Sequence, residues 1–142
     1  MNEYMLSEVQ IGMEASFSKT VTFEMENAFR EISGDDNPLH NDDEFAKNIS
    51  SNKFKSHVTY GMLTASLYST MAGVYLPGKY SLIHSFDELS FLNPVFVGDE
   101  LEVNGKVVDK NEDLRLIFLK VVIKNQDKKI VSRAKMKVLV MK

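Results

Sequence analysis

The chain has no cysteine, which excludes a disulfide framework, a thiolate nucleophile and a cysteine-ligated zinc site. It has no excess of positive charge either. Against 20 Asp and Glu stand 17 Lys and Arg, giving a formal charge of -3 and a pI near 5.6, and the basic residues are spread along the chain. No face for nucleic acid follows from such a distribution. No apolar run approaches the ~20 residues that span a bilayer, so no membrane segment is expected. The first residues, Met1 to Ile11, carry Glu3 and Glu8 and lack both a basic start and an apolar stretch, which argues against a signal peptide. Gly-rich phosphate cradles, internal repeats and low-complexity segments are absent as well, and a soluble cytoplasmic protein is the expectation.

What is present is enough apolar material for one core. With 142 residues, 44% hydrophobic and 26% charged, the chain reads as a single domain over residues 1–142. Glu14 to Thr22 alternates loosely and reads as a strand, after which Thr22 can cap a helix with Glu24 and Glu26 in its first turn, where acids suit the helix dipole. Met25, Phe29 and Ile32 fall at helical spacing on that segment, and Gly34 supplies its stop. Asn41 to Ile49 predicts a short second helix with Phe45 and Ile49 facing inward, and Ser50 to His57 a polar surface loop. From Thr59 to Tyr75 the sequence is apolar on nearly every side, the mark of a buried helix, ended by Pro77 and Gly78. Four strands follow, Tyr80 to Phe91, Glu100 to Asp109, Leu114 to Lys124 and Ile130 to Met141, separated by turn compositions such as Asn93-Pro94 and Gly98-Asp99. Long hairpin-linked strands around one buried helix describe an α+β domain.

The most informative stretch is Ser33-Gly34-Asp35-Asp36-Asn37-Pro38-Leu39-His40. Pro38 disfavours helical geometry at Asn37, so Asp35 and His40 lie at the two ends of a short turn and can converge on one small molecule as an acid/base pair. On spacing alone a solvated turn aspartate is the commoner reading. Gly61, at the start of the buried helix, has either an amide free to meet negative charge or simply a packing role. Ser66, in mid-helix, is open between a site role and a bond back to the preceding turn, and Asn37 is expected to brace the loop through its side chain. His57 and His84 read as surface or satisfied core histidines. No histidine pair has metal spacing, and no metal is expected.

Three blocks taken together resemble a known family. The Ser-Gly-Asp-x-Asn-Pro-Leu-His segment, then Gly61-Met62-Leu63-Thr64-Ala65-Ser66-Leu67, then Asn93-Pro94-Val95-Phe96-Val97-Gly98-Asp99-Glu100-Leu101 occur in the order seen in MaoC-like (R)-specific enoyl-CoA hydratases of the hot-dog fold. The resemblance runs from about Val9 to the C-terminus. It implies a curved antiparallel sheet wrapped round a long central helix, and reversible hydration of a trans-2-enoyl thioester to the (R)-3-hydroxyacyl thioester, with coenzyme A or acyl carrier protein as the thioester carrier and no further cofactor. It implies that Asp35 and His40 are the catalytic pair, that the Gly61 amide is the oxyanion donor, and that Ser66 supports the aspartate or the thioester. A homodimer or dimer of dimers, with the site at the seam, is implied too. At the position before the helix glycine the family commonly has histidine and this chain has Tyr60, read as altering the pocket wall and hence substrate preference. Met62, Leu63, Tyr68 and Leu76 are the side chains expected to set acyl-chain depth. Two alternatives stay open, a hot-dog acyl-thioesterase and a non-catalytic acyl-thioester-binding module.

Overall fold

A computed structural model describes residues 1–142. Strand β1 (Glu14–Thr20) precedes helix α1 (Phe23–Ser33), a 3-10 turn (Pro38–His40), α2 (Asp43–Ile49) and α3 (Gly61–Thr70), which continues as one π turn (Met71–Tyr75). Strands β2 (Ser81–Phe91), β3 (Glu100–Asn111), β4 (Leu116–Lys124) and β5 (Ile130–Val140) complete a single antiparallel sheet in the order β1-β3-β4-β5-β2. The sheet wraps α3 in the α+β hot-dog arrangement. No helix is long and apolar enough to cross a membrane.

Local chemistry sets the element ends. Thr22 Oγ1 accepts the Met25 amide at 3.3 Å and starts α1, while Gly34 ends it in the left-handed region at φ 72°, with its amide on Arg30 O. Asp42 Oδ1 caps α2 by accepting the Phe45 amide.

The helix sits in a trough built from small residues. Ala15, Gly105, Val121 and Ala134 are register partners across β1, β3, β4 and β5, so one row of the inner face is shallow. Met71 fills it: a Cβ on Gly105 would lie 2.6 Å from the Met71 sulfur. Around that contact Tyr68, Met71, Ile117, Leu119, Val121, Ile123 and Val138 are almost completely buried. Tyr68 donates its hydroxyl to Ser132 Oγ at 2.6 Å, and Ser132 in turn donates to Ser90 O at 2.8 Å. Burial pushes the Tyr68 phenol up to about 12.

The outer face is charged. Glu14, Lys106, Lys120 and Lys135 are successive register partners across β1, β3, β4 and β5, and Glu88 pairs with Lys135 from β2. Three lysines thus form a row with a glutamate at each end, the end pairs closing at 2.9 Å for Lys106 with Glu14 and 3.2 Å for Lys135 with Glu88.

Several expectations are corrected. Ile32 is 85% exposed, because the inward stripe of α1 runs through Met25, Glu26 and Phe29 and leaves Ile32 outside it. On α2, Ala46 is buried while Phe45 and Ile49 face outward. The central helix is not covered all round: the sheet buries Thr64, Ala65, Leu67 and Tyr68, and leaves Met62, Ser66 and Ser69 exposed on the opposite side.

Candidate active site

Three side chains in series steer the backbone out of α1. Ser33 Oγ accepts the Asp35 amide, Asp35 Oδ1 the Asn37 amide, and Asn37 Oδ1 the Leu39 amide, each at 3.0–3.1 Å. Each is a short polar residue holding an amide two positions on, and together they lead into the turn at Pro38. Asn37 braces the loop as its residue type implied.

His40 closes that turn with its ring fixed on two sides. Its Nδ1 lies 2.6 Å from Val58 O, and Val58 N–H returns a bond to Leu39 O at 3.0 Å. A carbonyl oxygen only accepts, so Nδ1 carries a proton, and in the neutral form of the ring the lone pair is on Nε2. One face of the imidazole packs on Tyr60, with ring centroids 4.2 Å apart.

Tyr60 itself is buried. Its hydroxyl donates to Asp35 O at 2.8 Å and its ring meets Phe29 at 5.0 Å. Burial raises its phenol above the ordinary value. The expectation that Tyr60 forms the wall of the substrate pocket is therefore corrected: it stands behind His40 and ties down the Asp35 backbone, the geometry of a brace.

In front of His40 opens a cleft of about 270 Å³, lined mainly by apolar side chains such as Phe91, Val95 and Val131 and by His40, Gly61 and Thr64. Gly61 is the first residue of α3. No protein group accepts from its amide, and Tyr60 at the cap position offers no side-chain bond to that first turn. The start of α3 thus presents free N–H groups and the positive end of its dipole to the same space as His40. Thr64, one turn further on, is 3% exposed, and its Oγ1 has no hydrogen-bond partner.

Behind His40 lies a second, polar cavity of about 130 Å³, bordered by Glu26, Arg30, Asn41, His57 and Tyr60. Glu26, 5% exposed, accepts Thr59 Oγ1–H on Oε1 at 2.7 Å and His57 Nε2–H on Oε2 at 2.9 Å. The other ring nitrogen of His57 donates to Asp43 Oδ1 at 2.6 Å. Burial alone would lower the His57 pKa, but the hydrogen bonds to Asp43 and Glu26 outweigh it and raise it. Asp43 is held below the ordinary carboxylate value, first by the His57 backbone amide and then by its ring. Glu26 and Thr59 are the residues that sequence reasoning passed over. The available signal was a glutamate on the apolar stripe of α1, between Met25 and Phe29.

Of the expected site residues, His40 and Gly61 line one cleft. Asp35 is exposed, stands five residues before His40 and outside the lining of that cleft, and keeps Oδ2 free of protein partners. Of the two readings open for Ser66, the structure shows the bond back to the preceding turn: its hydroxyl donates to Leu63 O at 2.6 Å, and the residue is exposed. Met62 is 59% exposed on that same outer side, and Tyr68 and Leu76 belong to the buried core.

Comparison with known proteins agrees with this architecture. Residues 7–134 match the model of the MaoC like domain. An (R)-specific enoyl-CoA hydratase of Aeromonas caviae is 41% identical over 105 residues, which cover 74% of this chain and 75% of that protein. A 3-hydroxybutyryl-CoA dehydratase of Methylorubrum extorquens is 30% identical over 72% of this chain and 62% of its own length. The solved (R)-hydratase structure from A. caviae superposes with a TM-score of 0.84 at 35% identity, covering 93% of this chain and 97% of that one. A match over this much of the chain, in sequence and in fold, makes the protein a member of the MaoC-like dehydratase domain family.

Proposed function

We propose that the protein is a hydro-lyase that reversibly adds water to a trans-2-enoyl thioester, giving the (R)-3-hydroxyacyl thioester, with coenzyme A or acyl carrier protein as the thioester carrier. The observation that carries this reading is the shared cleft of His40 and Gly61, one offering a lone pair on Nε2 and the other an unpartnered amide at a helix start.

Water attacks the β-carbon only if a base takes its proton, and the α-carbon then needs a proton in return. His40 Nε2 and the free Oδ2 of Asp35 are the groups for both transfers, so hydroxyl and proton add across the double bond and the pair ends as it began. Negative charge gathers meanwhile on the thioester oxygen. The Gly61 amide, aimed at that oxygen, stabilises the transition state more than the ground state. The reaction needs no metal and no redox partner. The names carried by the relatives support the enoyl-CoA substrate and the (R) outcome.

Incubation with crotonyl-CoA tests the reading. Loss of the enoyl absorbance without release of thiol, and an (R) product, is the expected result. Thiol release would make the protein a thioesterase, and tight binding without turnover an acyl-binding module.

A further inference from the structure

The reading above asks His40 to keep one tautomer, and the residues that enforce it extend beyond the cleft. The Val58 carbonyl, which receives the Nδ1–H of His40 at 2.6 Å, belongs to a three-residue segment gripped on both sides. Before it, His57 donates to Glu26 and Asp43; after it, Thr59 donates its hydroxyl to Glu26 and its amide to Val95 O at 2.8 Å. A single carboxylate on α1 therefore holds both neighbours of the carbonyl that orients His40. For packing alone an apolar side chain would serve at least as well, because a buried carboxylate is costly to desolvate.

We infer that Glu26 is a positioning residue for His40: by bridging His57 and Thr59 it fixes the Val58 carbonyl, which keeps the proton on Nδ1 and turns Nε2 toward the cleft. Which nitrogen of a histidine carries the proton is set by the bond that the other one makes. Without that bond the ring samples the second tautomer and other orientations, and a misplacement of about 1 Å at a reacting group can cost about 100-fold. As far as turnover is concerned the inference rests on the proposed hydratase activity; as far as the tautomer is concerned it does not.

The test therefore has two readouts on Glu26→Leu, Glu26→Gln and Thr59→Val. The first is 15N NMR of the imidazoles, simplified by the presence of only three histidines in the chain. The wild type is expected to show His40 with a protonated Nδ1 and an unprotonated Nε2. In Glu26→Leu the two nitrogens should converge toward an exchange average, and Glu26→Gln, which keeps the Thr59 bond and can still pair with a neutral His57, should restore the separation. The second readout is crotonyl-CoA hydration, where Glu26→Leu should lose about 10-fold or more in kcat with KM within about twofold, and Glu26→Gln should recover most of the loss. Should Glu26→Leu fail to fold, Thr59→Val carries the same comparison with a smaller effect. A His40 tautomer unchanged in both Glu26→Leu and Thr59→Val overturns the inference, even if kcat falls, because Glu26 would then be merely structural. A tautomer that responds to Glu26 in a wild type that does not hydrate crotonyl-CoA supports the inference and removes the hydratase reading instead.

Discussion

A neutral imidazole whose Nδ1–H is engaged by Val58 O can act on a substrate only through Nε2. Replacing His40 by Ala removes that nitrogen, and Asp35→Asn removes the companion carboxylate. Each should cost at least ~100-fold in kcat, the scale of positioned proton transfer, with the circular dichroism spectrum unchanged. Near-normal rates in either variant would exclude the mechanism. Thr64 makes the opposite case. Its buried hydroxyl has no partner, so Thr64→Val discards a group whose burial costs about 1–3 kcal/mol, and thermal unfolding should show an equal or higher Tm. The turn at Pro38 that carries Asp35 and His40 was legible in the sequence, because proline and glycine restrict backbone geometry locally. The partners of His40 were not. Val58 and Glu26 reach it through contacts 18 residues apart in one case and through His57, 31 residues from Glu26, in the other, and nothing in local spacing announces such a meeting.

Between elements, two contacts decide how the helices are held. The π turn after α3 seats Met71 over Gly105, where an added methyl group would come 2.6 Å from the sulfur of a fully buried side chain. Gly105→Ala should therefore destabilise by roughly 1–3 kcal/mol through overpacking, measured by urea unfolding, and an unchanged midpoint would show that Met71 moves freely. The second contact joins α1, α2 and the segment before α3 through His57. Its folded pKa lies above the unfolded value of about 6.5, so its contribution to stability is complete below that value and is lost as pH rises through the folded pKa. Asp43, lowered in the fold, contributes above its unfolded value of about 3.9 and loses that contribution as pH falls through its folded pKa. The Tm should thus decline as pH rises above about 6.5, and His57→Asn should flatten that limb; an identical slope in the variant would exclude the clamp. The order and type of the elements were readable from periodicity. The faces of α1 and α2 were not, since apolar spacing marked Ile32, Phe45 and Ile49 while the fold turned Glu26 and Ala46 inward.

At the level of the whole molecule, the sheet covers α3 on one side only. Met62, Ser66 and Ser69 stand exposed on the helix, and Phe86 of the edge strand β2, itself partly exposed, packs edge-on against Tyr68 of the same helix. An apolar surface of this kind next to an unpaired strand edge is suited to a second copy of the chain. We therefore expect sedimentation at micromolar concentration to give a homodimer or a dimer of dimers, and Met62→Asp to weaken it; a folded, active monomer would contradict the assembly. The hydrophobicity of residues 59–75 was visible in the sequence, but the division of that surface between the chain's own sheet and a partner depends on the curvature of the sheet.

The opposite surface bears on how copies avoid one another. Two molecules meeting back to back would bring Lys120 against Lys120 and would strip water from the ion pairs of Lys106 with Glu14 and of Lys135 with Glu88 on either side of it. The like charge of Lys120, screened within a Debye length of about 10 Å at 0.1 M salt, and the cost of desolvating those pairs turn the back of the sheet into a fender. Stacking into ribbons is discouraged on that side.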